Sequence, residues 1–259
     1  RYLVLLLGFC AAAAQEAAVE ACEAATLSNL SSLPQLSRYS RTRAVILDDD
    51  DPVRAWLAER FVGSATRHCG PGPSDPRRAA PQFEVQRIER LFNPRLQEKY
   101  LAEVQDIAGL CSQKVSPLPD GSRHTAFIPS VETFNNLKLN EFLLYHGAPS
   151  NLIERLCLQG LDPRRAGTNF GKLFGAGVYL AANSSKSDIY TTESDNQERC
   201  VLVVRTCLGE AYAARQRHRD YLMPPERPDG KGALNSVVAL TKNQGGVVEH
   251  SEYIIYQSA

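Results

Sequence analysis

The chain has 259 residues, 43% of them hydrophobic and 22% charged, which is enough to bury a full core in one catalytic-sized domain plus an appendage. Its 29 basic and 29 acidic residues cancel, so no overall field draws it to nucleic acid or an anionic membrane, and partners have to be argued from a site. The seven cysteines, Cys10, Cys22, Cys69, Cys111, Cys157, Cys200 and Cys207, include no C-x-x-C pair and accompany no histidine cluster, which argues against structural zinc and against a disulfide scaffold.

In chain order, residues 3 to 14 read LVLLLGFCAAAA, too short to span a bilayer as a helix. Two readings are open for residues 1–27: a secretory signal ending near Ala14, or an alanine-rich helix running on through QEAAVEACEAATL. Residues 28–50 change to Ser, Arg and Asp and read as a linker, which places the folded domain at 51–259. Asp51-Pro52 is a capping side chain followed by proline at the first helical position, and VRAWLAERF continues it at helical spacing, with Trp56 on the apolar face. A Gly/Pro loop over 63–81 separates it from FEVQRIERLF, a strand, after which Asn93 opens a helix with an apolar stripe of Leu96, Tyr100, Leu101, Val104 and Ile107.

From Glu141 the chain turns strand-rich. EFLLYHG reads as a buried strand, Ser150 as the cap of a short helix over NLIERLCLQ, and Gly160 as its stop. VYLA, CVLVVRTCLGEAY and VVEHSEYIIY are β-branched or aromatic runs bounded by turn residues. A helical start followed by a mostly β half points to an α+β fold.

Gly175-Ala176-Gly177 opens like a dinucleotide fingerprint, but Leu180 stands where the third glycine belongs, and no P-loop is present. Three other fragments, LLYHGAP at 143–149, FGAGVYLAANSSKSDIY at 174–190 and HSEYIIY at 250–256, together resemble the catalytic domain of poly(ADP-ribose) polymerases, the diphtheria-toxin-like ADP-ribosyltransferases with a His-Tyr-Glu signature. FEVQRIERLFNPRLQEKY is similar to the opening of that domain in the tankyrase-like and mono-transferase branches.

The resemblance implies a split antiparallel β core of two facing sheets, with flanking helices and an NAD cleft between them. It implies NAD as the substrate, protein acceptors of ADP-ribose, no metal and no direct nucleic-acid contact. His146, Tyr179 and Glu252 become the catalytic set; Gly147 and Ser187 become the carboxamide clamp; Tyr179 and Tyr190 become the stacking pair; and His146 contacts the adenosine ribose. Asp162, Arg164 and Arg165 fall where the family has a loop over NAD, which makes Arg164 a candidate pyrophosphate contact. By the same likeness the protein is nuclear or cytoplasmic, or secreted if residues 1–14 are a signal.

Two features depart from the pattern. Ala148 stands where Ser or Thr is usual, and only TTESDNQER separates Tyr190 from Cys200, so the zinc-holding insertion of tankyrases is missing. Single transfer is favoured over polymer, and the alternative is an inactive NAD-pocket module that serves as an interaction protein.

Overall fold

The computed structural model describes residues 2–7, 42–67, 81–110, 115–121, 139–165 and 172–257. Its strands are β1 (Tyr2–Leu7), β2 (Arg43–Ile46), β3 (Val85–Phe92), β4 (Glu141–Gly147), β5 (Val178–Ala181), β6 (Arg199–Cys207), β7 (Ala211–Ala214), β8 (Ser236–Ala239) and β9 (Glu252–Ile255). Its α-helices are α1 (Pro52–Gly63), α2 (Pro94–Leu110), α3 (Ser150–Gln159) and α4 (Ser184–Asp188). The strands run in the order β2-β3-β1-β6-β4-β5-β9-β8-β7. The β2–β3, β4–β6, β4–β5, β5–β9 and β8–β9 pairs are antiparallel, and β1–β3, β1–β6 and β7–β8 are parallel. The architecture is therefore α+β and mostly antiparallel. The core is weakest between β4 and β5, which share only the Tyr145↔Ala181 pair, whereas β4 and β6 pair continuously from Glu141↔Cys207 to Gly147↔Val201.

Two N-terminal segments differ from the sequence reading. Tyr2–Leu7, for which a signal or a helix was open, is a strand lying between β3 and β6. An unbroken apolar run of this length suits an interior strand, and periodicity cannot separate that from an apolar helix. Residues 8–41 lie outside the described residues, but Arg43–Ile46, inside the expected linker, is an edge strand on β3. Its four residues were hidden by their Arg and Asp flanks.

Elsewhere local chemistry sets the elements. Asp51 accepts the Val53 amide at 2.7 Å, Pro52 takes the first helical position, and Val53, Leu57 and Phe61 form the buried stripe of α1. Each such side chain contributes about 1.5–3 kcal/mol by leaving water. Trp56 is half-buried against the same core, with the Arg60 guanidinium 5.5 Å from its ring centroid. Asn93 accepts the Leu96 amide at 3.2 Å and opens α2, whose stripe is only partly used: Ile107 is buried, but Leu101 is 43% exposed. Helix α3 starts one residue earlier than expected, with Pro149 at the cap position and Ser150 already helical; Gly160, at φ 80°, ends it by returning its amide to Leu156.

Helix α2 is fastened to the sheet by charge. Glu141, almost fully buried, receives the Arg205 guanidinium at 2.6 Å and the Tyr100 hydroxyl on the same oxygen. Removing one partner of such a group leaves a buried charge uncompensated, at a cost of about 3–5 kcal/mol.

Candidate active site

The site lies where the ladder parts. Continuing the Tyr145↔Ala181 register would set Gly147 opposite Tyr179, but the strands diverge there. A side chain bridges the gap instead: His146 Nδ1 lies 3.0 Å from the Tyr179 carbonyl oxygen. A carbonyl only accepts, so Nδ1 carries the proton and Nε2 keeps its lone pair in the neutral ring. Burial lowers the His146 pKa below the ordinary histidine value, more than the carbonyl bond raises it.

Gly147 has no room for a side chain. A Cβ there would meet the Ser187 carbonyl oxygen at 1.8 Å and Thr191 Cγ2 at 3.3 Å. Helix α4 comes this close because the end of α1 anchors it: Ser184 Oγ donates to the Phe61 carbonyl at 2.6 Å, and Asn183 Nδ2 donates to the Ser64 carbonyl at 3.2 Å. Ser184, Ser185 and Ser187 are all buried, so this hydroxyl run faces inward.

The Tyr179 hydroxyl accepts the Phe174 amide and donates to the Gly175 carbonyl, both at 3.0 Å. Burial pushes its pKa up to about 12, with the Glu252 and Tyr190 charges acting in the same direction. The glycines before it serve packing. Gly175 sits at φ 84°, and a Cβ would strike the Tyr221 carbonyl at 1.9 Å, while one on Gly177 would strike Ile254 at 2.3 Å.

Glu252 occupies β9 between β5 and β8, in register with Ala181 and Ala239, and is 7% exposed. It shares a face with Ile254, which pairs with Tyr179. Its carboxylate holds the Lys186 ammonium at 2.7 Å, and the same ammonium lies 5.7 Å from the Tyr190 ring centroid. Burial alone would lower the Lys186 pKa; the Glu252 and Tyr190 interactions outweigh it, and the value is raised. Glu249 is the solvated glutamate, 3.6 Å from Lys242.

The expected residues His146, Gly147, Tyr179, Ser187, Tyr190 and Glu252 are thus gathered around one seam. Lys186 belongs with them and went unnoticed in the sequence, although it stands inside the SSKS run. Arg164 is not gathered with them: its guanidinium turns onto the Asp162 carboxylate at 2.9 and 3.0 Å and is exposed, and residues 166–171 that follow lie outside the described residues. Among the described residues, no group of three or more His, Cys, Asp or Glu side chains is placed to hold a metal ion. Nor is any helix among them long and apolar enough to cross a membrane.

The seam thus brings together an aromatic ring, a glycine with no room for a side chain and a buried carboxylate. The sequence profile of the poly(ADP-ribose) polymerase catalytic domain matches residues 74–259, and the chain belongs to that family. PARP domains use NAD as their substrate. Among curated proteins the chain is 26% identical over 152 residues to the mouse "Protein mono-ADP-ribosyltransferase PARP10". That match covers 58% of this chain and 13% of the relative.

Proposed function

We propose that this chain transfers ADP-ribose from NAD to protein acceptors, releases nicotinamide, and adds single units. The observation that carries the reading is the Gly147–Ser187 notch lying across the seam from Tyr179, with Glu252 buried on the Tyr179 face. Nicotinamide in NAD is already cationic, so its departure needs no general acid. The bond from ribose C1′ to the ring nitrogen breaks, the electron pair leaves with nicotinamide, and the acceptor nucleophile bonds to C1′ and sheds its proton.

The chain's residues then have separate tasks. Gly147 admits the carboxamide to backbone N–H and C=O, with Ser187 beside it. Tyr179 and Tyr190 offer π faces to the cationic ring, each worth about 0.5–2 kcal/mol. Glu252 stabilises the oxocarbenium-like ribose, and its ion pair with Lys186 holds the carboxylate in place before substrate arrives. The neutral His146 presents Nε2 as an acceptor for a hydroxyl of the adenosine ribose. Likeness to a mouse mono-transferase and the missing hydroxyl at Ala148 support single transfer.

Incubation with labelled NAD, followed by gel analysis of wild type and Glu252→Gln, tests this. A sharp labelled band that weakens in the variant supports single transfer, whereas a high-molecular-weight smear that vanishes in the variant indicates elongation. No label with intact NAD binding would favour the interaction module.

A further inference from the structure

We propose that Asp188 is a positioning residue for the nicotinamide end of the site, tying strand β1 and the start of β6 to helix α4 and so fixing the segment that carries Ser187 and Tyr190. This rests on the NAD reading above. One carboxylate oxygen, Asp188 Oδ1, receives the Tyr2 hydroxyl at 2.6 Å and the Arg199 guanidinium at 3.1 Å, while Thr191 Oγ1, 3.1 Å from it, gives its one proton to the Asp188 backbone carbonyl at 2.8 Å. Tyr2 and Arg199 are themselves partners in the β1–β6 register, so the two strands present a matched pair of donors to one acceptor. The Tyr2 phenol stays protonated, because burial and the Asp188 carboxylate raise its pKa.

The carboxylate lies next to everything the cleft needs at this end. Asp188 directly follows Ser187, whose carbonyl closes the Gly147 notch, and it stands two residues before Tyr190. Thr191, which it holds, would contact a Gly147 Cβ at 3.3 Å. Helix α4 has only five residues, so its own hydrogen bonds cannot fix its orientation. Its first residues are tied to the end of α1 through Ser184 and Ser185, and its last residue is tied to β1 and β6 through Asp188. An acid at a helix C-terminus opposes the local dipole, so helix chemistry does not account for Asp188; its donors from β1 and β6 do.

The test uses Tyr2→Phe, which removes the hydroxyl but keeps the ring against Phe61 and Phe83, together with Asp188→Asn and the double variant. Calorimetric Kd for NAD and for nicotinamide, KM and kcat are measured on protein whose folding is confirmed by circular dichroism. Loss of one charge-assisted bond should weaken NAD about three- to tenfold in Tyr2→Phe and raise KM equally, with kcat at saturating NAD falling by no more than about twofold. Asp188→Asn should do more, and Tyr2→Phe should add little to it. A lower melting temperature with Kd and KM as in wild type would mean that the network is merely structural and overturns the proposal. Full additivity of the two substitutions in Kd would overturn the shared route through Asp188. Wild-type protein that binds no NAD would sink the transferase reading, and this inference with it. Normal wild-type binding that Tyr2→Phe leaves unaltered sinks this inference alone.

Discussion

The seam and the Arg164 turn are built on different principles. At the seam, backbone meets backbone: the Ser187 carbonyl fills the space in front of Gly147, serine hydroxyls pin α4 to α1, and Glu252 is buried on an interior strand. Away from it, Arg164 is 85% exposed at its side chain and is satisfied by its neighbour Asp162 two residues away. The first region is held by packing and buried hydrogen bonds; the second is held by a solvated ion pair. Preorganisation decides how much a substitution costs.

The largest break in that contrast should come at Gly147. Even Gly147→Ala places a Cβ 1.8 Å from a carbonyl oxygen, so α4 must move. NAD binding by calorimetry should be lost in Gly147→Ala protein that still melts cooperatively. Normal binding by that folded variant would remove Gly147 from the site.

Next in size is Glu252→Gln, which keeps the shape and deletes the charge that faces Lys186. Loss of one preorganised electrostatic group costs about 100- to 1000-fold in rate, so labelled transfer should become slow but detectable, with NAD affinity much less affected. An unchanged rate would put the chemistry elsewhere.

Acidification should act through His146. Burial lowers its folded-state pKa, so in the window between that value and the ordinary value of 6.5 the unfolded chain binds the proton and the folded chain does not. Stability from this group is therefore complete above the ordinary value and drains away as pH falls below it. KM for NAD should be level from neutral pH upward and rise on the acid side, where Nε2 becomes a donor. In His146→Gln the acid rise should flatten, and a persistent rise would assign the titration to another group.

The smallest effects sharpen the comparison. Ser187→Ala removes one neutral hydrogen bond worth about 0.5–1.5 kcal/mol and should weaken nicotinamide by up to about tenfold. Arg164→Ala removes an ion pair screened by water and salt and should change KM by less than about threefold. An Arg164 effect larger than the Ser187 effect would mean that Arg164 reaches substrate after all.

The second half of the chain was legible in its sequence for physical reasons. VYLA and EFLLYHG form strands at their expected bounds because β-branched and aromatic residues sit between glycines and polar turns, and Glu252 stands out as an acid inside an apolar run. Tyr2–Leu7 was not legible, since an unbroken apolar stretch carries no period to distinguish strand from helix. Arg43–Ile46 was masked by charged neighbours, and the exposure of Leu101 could not be foreseen because α2 meets the sheet through Tyr100 and its buried acid as much as through its stripe. Lys186 escaped notice because its importance lies in a partner 66 positions away, Glu252, which no local pattern encodes.

The interior position of β9 also has a consequence in time. Glu252 is carried by a strand laddered on both edges, to β5 and to β8, whereas Tyr190 stands 45% exposed in the turn after α4. Amides exchange with solvent at the rate at which their segment opens, so deuterium should reach the backbone around Glu252 only on near-global unfolding and the Tyr190 turn much sooner. The buried Glu252 carboxylate would then keep one of the slowest clocks among the described residues, and the Tyr190 ring beside its Lys186 partner a much faster one.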